Sequence, residues 1–258
     1  MTDLTDVRLE RHDTVGVLTI DRPEKRNALS PEVMQQLATA LDELERNPEI
    51  RCIVIAGSDE VFAAGADIGA MVQRSFQEVL EAPALAFWQR LSACRTPLVA
   101  AVSGYALGGG CELALACDMI VASESAEFGQ PEITLGIIPG GGGTQRIARV
   151  AGKQRAMEIV LTGRRINATE AHSLGLVNVV APRKRWLEQA LELAAVVARR
   201  PPLAVRMAKQ AVLAADEMPL TSGLAYERRL YELSMATEDR IEGMQAFLEK
   251  RRAQFKGR

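Results

Sequence analysis

The segment Pro97-Leu98-Val99-Ala100-Ala101-Val102 carries no polar side chain on either face. A strand of that kind has to be covered on both sides, which places it inside a layered sheet. Asp118 to Ala122 reads the same way, and the Ile and Val run from Arg51 to Ala56 and the alternating Val15 to Ile20 add further strands. Between the two earlier strands, Ser30-Pro31-Glu32 offers an N-cap, a proline for the first turn and an acid near the positive end of a helix dipole. The spacing predicts a helix from there to about Glu45, with Val33, Leu37, Leu41 and Leu44 on one stripe. Strands separated by helices imply an α/β core with right-handed crossovers rather than an all-β sandwich.

From Arg183 the pattern changes to helix alone: Trp186 to Arg199, Pro202 to Ala215, Leu220 to Met235 and Glu238 to Arg252. In the last of these, Ile241, Met244, Phe247 and Leu248 form a stripe that a short helix cannot bury by itself, so it is expected to dock, with oligomer contacts favoured. The division expected is therefore residues 1–182 as the α/β core carrying the site and 183–258 as a helical C-terminal region. No repeat of solenoid period and no low-complexity linker interrupts this plan.

Several function classes are disfavoured at once. Lys plus Arg (31) against Asp plus Glu (33) gives a net charge of −2 without long like-charge blocks, so nucleic acid is not an expected partner. The start, Met1-Thr2-Asp3-Leu4-Thr5-Asp6, is polar and acidic rather than signal-like, and a cytoplasmic location is expected. The most apolar stretch, Leu98 to Ala122, is broken by glycines, Glu112 and Asp118, so no membrane partner is expected. Cys52, Cys94, Cys111 and Cys117 are scattered among apolar neighbours and read as buried thiols. His12 and His172 are the only histidines, and no metal-ligand spacing is present; His172, on a surface-type helix, reads as solvated.

Chemistry points instead to Glu112, in Leu107-Gly108-Gly109-Gly110-Cys111-Glu112-Leu113, and Glu132, in Phe128-Gly129-Gln130-Pro131-Glu132-Ile133. A carboxylate in such apolar, glycine-rich surroundings is costly to ionise, so its pKa rises toward the range of a general acid or base. Two of them in one pocket could hold opposite protonation states and do opposite jobs. Two glycine-bearing turns, Val61 to Ile68 and Ser103 to Gly110, each follow a strand; their free N–H groups could converge on one oxygen as an oxyanion hole.

Each feature also has a purely structural reading. Glycine runs serve as tight turns, Glu112 could complement a helix N-terminus, and Glu132 after Pro131 could be a first-turn acid. Asp67 and Asp118 read as loop or capping acids, and the Tyr105 ring as core. Nucleotide binding is disfavoured, because Pro139 to Gln145 lacks the Lys-Ser/Thr ending of a P-loop and Gly104 to Gly110 does not fit G-x-G-x-x-G.

Taken in order, Phe62-Ala63-Ala64-Gly65-Ala66-Asp67-Ile68, Gly104 to Leu113, Phe128 to Ile133 and Leu135 to Arg146 resemble the crotonase superfamily, and within it enoyl-CoA hydratase. The likeness runs through Ala236-Thr237-Glu238-Asp239-Arg240 to Phe247-Leu248-Glu249-Lys250-Arg251-Arg252. It implies a spiral core of ββα units, a helical C-terminal region that builds trimers or dimers of trimers, and an acyl-CoA ligand. Coenzyme A then belongs to the substrate, and no separate cofactor or metal is expected.

The resemblance further implies that the N–H groups of Ala66 and Gly109 hold the thioester oxygen, with Gly140 helping to position water. It puts Ala64, Asp67 and Ile68 at the adenine end of coenzyme A, and Tyr231 and Lys250 where a neighbouring subunit reaches it. Glu112 is expected to activate water and Glu132 to protonate Cα, giving 3-hydroxyacyl-CoA from 2-enoyl-CoA. One departure is Gly69, where the family often has lysine, which leaves the coenzyme contacts at that spot open. The segment Gly69 to Pro83, with Met71, Val72, Phe76 and Val79, is expected to line or cover the acyl channel. A Δ3,Δ2-enoyl-CoA isomerase, another crotonase-type reaction and a non-catalytic CoA-thioester binding subunit are the alternatives. Fatty-acid β-oxidation, branched amino-acid breakdown and aromatic degradation all stay open as settings.

Overall fold

The computed structural model describes residues 4–81 and 84–258. In chain order, β1 (Val7–His12) and β2 (Val15–Ile20) pair antiparallel, and α1 (Pro31–Arg46) leads to β3 (Cys52–Ala56) and β4 (Val61–Ala63). Three short helices follow, α2 (Ile68–Met71), α3 (Phe76–Leu80) and α4 (Ala84–Ser92), then β5 (Leu98–Val102), β6 (Tyr105–Leu107) and α5 (Gly109–Ala116). After β7 (Met119–Ser123) and β8 (Glu127–Gly129) come a 3₁₀ turn (Pro131–Leu135), α6 (Gly143–Ala151), α7 (Lys153–Thr162), β9 (Arg165–Asn167), α8 (Ala168–Ser173) and β10 (Val179–Ala181). Four helices close the chain: α9 (Trp186–Ala198), α10 (Pro202–Ala214), α11 (Leu220–Ser234) and α12 (Glu238–Leu248).

Among the described residues the strands form two sheets, β1-β2-β3-β5-β7-β10 and β4-β6-β8-β9. Each turn of the chain therefore gives one strand to the large sheet and the next to the small one: β3 then β4, β5 then β6, β7 then β8. That alternation is a spiral of ββα units. In the large sheet β2, β3, β5 and β7 run parallel, with Val17 beside Val54, Val54 beside Val99 and Ala100 beside Ile120. All five residues of β5 are buried, as an uninterrupted apolar strand requires.

One face of the large sheet packs on the main core with Leu37, Leu41, Phe62 and Leu113. The other is covered by α9 through Trp186, Ala190, Ala194 and Ala198, whose spacing of four puts them on one helical stripe. Ser30 caps α1 as expected, its hydroxyl accepting from the Val33 N–H at 3.4 Å. Asp118 accepts from Leu98 N–H at 2.7 Å and pairs with Lys209 at 2.7 Å, which ties α10 to the N-terminal ends of the inner strands β5 and β7. The four cysteines are buried and unpaired.

Two expectations change. The Tyr105 ring is not core: it is 37% exposed, with the Arg165 guanidinium stacked 5.0 Å above it. α12 stops at Leu248 rather than Arg252, because Lys250 turns to φ 55° and the tail folds back, with Lys256 and Gly257 N–H groups donating to Asp239. His172 is on an exposed helix position, and its Nδ1 meets the Val177 carbonyl at 2.8 Å. Among the described residues no helix is long and apolar enough to cross a membrane. Met1, Thr2 and Asp3 of the acidic start, and Ala82 and Pro83 of the expected channel segment, lie outside the described residues.

α5 and β4 touch through backbone. A Cβ on Gly110 would sit 2.0 Å from the Ala63 carbonyl oxygen, a distance only backbone movement can relieve. Gly110→Ala is therefore expected to destabilise the fold by ~2 kcal/mol or more, measured by denaturant unfolding; an unchanged midpoint would contradict this contact.

Candidate active site

The segment after β4 is pinned from outside. Leu29 N–H donates to Gly65 O at 2.7 Å, and Ala64 N–H donates to Arg26 O at 3.1 Å. Asp67 caps α2 by accepting from Ala70 N–H at 3.3 Å and pairs with Arg22 at 3.1 Å. Burial opposes its charge, but the Ala70 N–H and Arg22 outweigh it and hold the carboxyl below its ordinary range. The Asp67 side chain is thus a capping acid.

The second segment, from β6 into α5, turns at Gly108 with φ 51°, a conformation that favours glycine. A side chain there would also collide, since a Cβ would lie 2.8 Å from Glu132 Oε1. Gly109 is the first residue of α5, where an N–H has no partner inside the helix. The two segments meet here: a Cβ on Gly109 would be 3.6 Å from Ala66 N, and one on Gly65 would be 3.8 Å from Gly109 N. Among the described residues neither the Ala66 nor the Gly109 N–H donates to a protein acceptor. Two adjacent unpaired donors, one of them at a helix N-terminus, can bind an anionic or polarised oxygen.

Glu112, one turn into α5, is only 3% exposed. Its Oε1 accepts from Gly141 N–H at 2.7 Å and Gly143 N–H at 2.8 Å, so the glycine run before α6 is folded around this carboxylate. Burial raises its pKa, while the Gly143 and Gly141 N–H groups and Arg146 pull the other way. Oε2 has no hydrogen bond to protein among the described residues and stays available to a substrate or water. The Trp88 indole walls the same spot, 2.5 Å from where a Cβ on Gly141 would be.

Glu132 rides on the 3₁₀ turn that follows β8 and is half-buried, its carboxylate over Gly108. Burial, with the Glu112 charge adding to it, pushes its pKa up to about 7 against the pull of its own N–H. Gln130, wholly buried, lies beside it. The geometry thus brings Ala66, Gly109, Glu112 and Glu132 around one place. Gly140 is exposed with open space beside it, next to the Gly141 that grips Glu112. Tyr231, half-exposed on α11 under Arg228, and Lys250, exposed beyond α12, make no hydrogen bond to this site among the described residues. Trp88, Gln130, Gly141 and Gly143 were not singled out by the sequence. Only the Gln130-Pro131-Glu132 adjacency carried a signal for one of them.

The sign of the Glu132 shift fixes a stability effect. A folded-state pKa of about 7 against 4.5 means the folded chain holds a proton that the unfolded chain releases, so stability falls as pH rises between those values. Glu132→Gln is expected to melt near wild type at pH ~5 and at higher temperature than wild type at pH ~8, where the ionised carboxylate no longer strains the site. Thermal melts at the two pH values check this, and equal differences at both would contradict the shift.

The family model described as Enoyl-CoA hydratase/isomerase matches residues 10–258. The chain is 49% identical over 249 residues to a probable enoyl-CoA hydratase of Mycobacterium tuberculosis, covering 96% of this chain and 97% of that one. It is 48% identical over 255 residues to the 2,3-dehydroadipyl-CoA hydratase of Escherichia coli, covering 99% and 100%. Among solved structures, an enoyl-CoA hydratase subunit from Geobacillus kaustophilus superposes with a TM-score of 0.96 at 44% identity, with 100% of both chains covered. With its ββα spiral and with one family profile spanning nearly its whole length, this chain belongs to the enoyl-CoA hydratase/isomerase family.

Proposed function

We propose that this protein is an enoyl-CoA hydratase that adds water across the 2,3 double bond of a 2-enoyl-CoA thioester to give 3-hydroxyacyl-CoA. The observation that carries the reading is the meeting of two unpaired N–H groups, Ala66 and Gly109, with one buried and one half-buried carboxyl whose surroundings differ.

Attack of water at Cβ moves electron density through Cα to the thioester oxygen, so the transition state resembles an enolate. The Ala66 and Gly109 N–H groups take that oxygen, and donors fixed in advance in a dry site stabilise it more than they do the neutral carbonyl. Glu112 is held by two N–H groups on Oε1 and uses Oε2 to take the water's proton. Glu132, with a pKa of about 7, gives its proton to Cα. One proton enters at Glu112 and one leaves at Glu132, and exchange between the two carboxyls or with solvent restores the starting state. In this reading the pair titrates as a coupled unit.

Coenzyme A is part of the substrate, its adenine end against the backbone at Ala64, Asp67 and Ile68, with Gly140 beside the attacking water. The apolar residues Met71, Val72, Phe76 and Val79, the last three exposed, form the acyl channel and set chain length. The region 183–258 builds a trimer or a dimer of trimers, which brings Tyr231 and Lys250 to a neighbour's coenzyme. Its support is the stripe Ile241, Met244, Phe247 and Leu248, which is exposed on the single chain, Phe247 by 82%.

Purified protein is expected to consume the conjugated enone of crotonyl-CoA, and Glu112→Gln and Glu132→Gln each to lower kcat by ~10²–10⁴ with coenzyme A binding retained. Crotonyl-CoA bound but left intact would favour a binding subunit; conversion of a 3-enoyl-CoA without hydration would favour an isomerase. For the assembly, Phe247→Asp is expected to convert trimers or hexamers to smaller species in sedimentation velocity, and an unchanged distribution would remove this stripe from the interface.

A further inference from the structure

Arg146 stands in the first turn of α6, just after the glycine run, and its side chain folds back onto that run. Its Nη1 donates to the Gly141 carbonyl at 2.7 Å. Gly142 makes room for this: it turns at φ 106°, and a Cβ there would lie 2.1 Å from the same nitrogen, in the place the guanidinium occupies. The peptide joining Gly141 to Gly142 thus has a cation on its oxygen, and its N–H, which points the opposite way in a trans peptide, favours the ionised form of Glu112. With the Gly141 and Gly143 N–H groups on Oε1, one short loop is held between a guanidinium on one side and a carboxylate on the other.

We propose that Arg146 is a positioning residue that latches the glycine run 140–143 around Glu112 and sets its carboxyl against the attacking water. The inference rests on the reading of Glu112 as the base. Four successive glycines have no side chains to fix them and lose more freedom on ordering than any other residues. The guanidinium supplies the missing anchor. Its charge acts as well, because burial opposes ionisation of Glu112 and Arg146 is the side-chain cation that counters it. Glu112 is in turn the carboxyl whose charge Arg146 feels most. Glu132 and Cys111 also face Glu112, and neither is a cation. Behind Arg146 is a cavity of about 500 Å³, lined in addition by Arg149, Asp216 and Glu217, from which small solutes can reach the guanidinium.

The test uses the full chain with Arg146→Met, which keeps bulk and removes donor and charge, Arg146→Lys, which keeps the charge alone, and Arg146→Ala, which opens the cavity toward the loop. Hydration of crotonyl-CoA is followed as kcat and KM across pH. Arg146→Met is expected to lower kcat by ~10–100-fold with KM little changed, and to move the acidic limb of the profile to higher pH, because Glu112 without its cation holds its proton longer. Arg146→Lys is expected to leave that limb near its wild-type position while kcat stays reduced, which separates charge from latch. Guanidinium ion added to Arg146→Ala is expected to restore part of the rate, and sodium chloride at equal concentration to restore none. A full rate with an unmoved limb in Arg146→Met, or a lost rate that neither moves the limb nor responds to guanidinium, would overturn the role. Arg146→Lys serves alone should the others not fold: a reduced kcat at an unmoved limb supports the latch, and a full rate removes it. If wild type leaves crotonyl-CoA unhydrated, the hydratase reading fails, and infrared titration of the Glu112 carboxyl, identified by its loss in Glu112→Gln, still decides: a midpoint raised in Arg146→Met keeps the latch, and an unmoved one rejects it.

Discussion

The N-terminus of α5 lies directly against the end of β4, and the site depends on that backbone contact. Gly110 lets the helix close on the Ala63 carbonyl, and one residue earlier Gly109 reaches the Ala66 nitrogen. Both N–H groups are free for topological reasons: one follows the end of a short strand, the other opens a helix. Neighbouring ββα turns place these two chain segments side by side, because β4 and β6 are adjacent in the small sheet. A side chain at 110 would meet the Ala63 carbonyl at 2.0 Å, so the absence of a Cβ there is a geometric requirement.

The same packing separates the two carboxyls chemically. Glu112 projects from α5 into the glycine loop before α6, where two N–H groups on one oxygen offset the penalty of burial. Glu132 has a thinner set of donors and lies closer to solvent, and it carries a pKa of about 7. Burial raises both acids, but against unequal sets of donors, and unequal surroundings are what a paired base and acid need. Gln130 is wholly buried and packs against Gly143.

Much of this was legible from residue types alone. Ser30-Pro31 announced α1, the two-faced apolar run announced β5, and the glycine turns with their buried glutamates announced the site, because each is a local pattern with one cheap physical solution. What the sequence did not reveal depends on tertiary neighbours. The Tyr105 ring reads as core by type, but its strand lies in the small sheet where Arg165 covers it and solvent reaches it. Nothing in Glu249 to Arg252 breaks a helix, so the end of α12 at Leu248 is not visible in sequence; the tail's bonds to Asp239 act from elsewhere. Trp88 and Gln130 are ordinary residues until Gly141 and Gly143 are folded against them.

Carbon-13 NMR of a 2-enoyl-CoA labelled at the thioester carbonyl, bound to the Glu112→Gln variant so that it is not turned over, tests the grip of the two amides most directly. If Ala66 and Gly109 hold the oxygen, the carbonyl resonance moves downfield on binding as the double bond is polarised, and a bulky residue at 109 abolishes the move. A saturated complex whose carbonyl resonance stays at its free position would contradict the site.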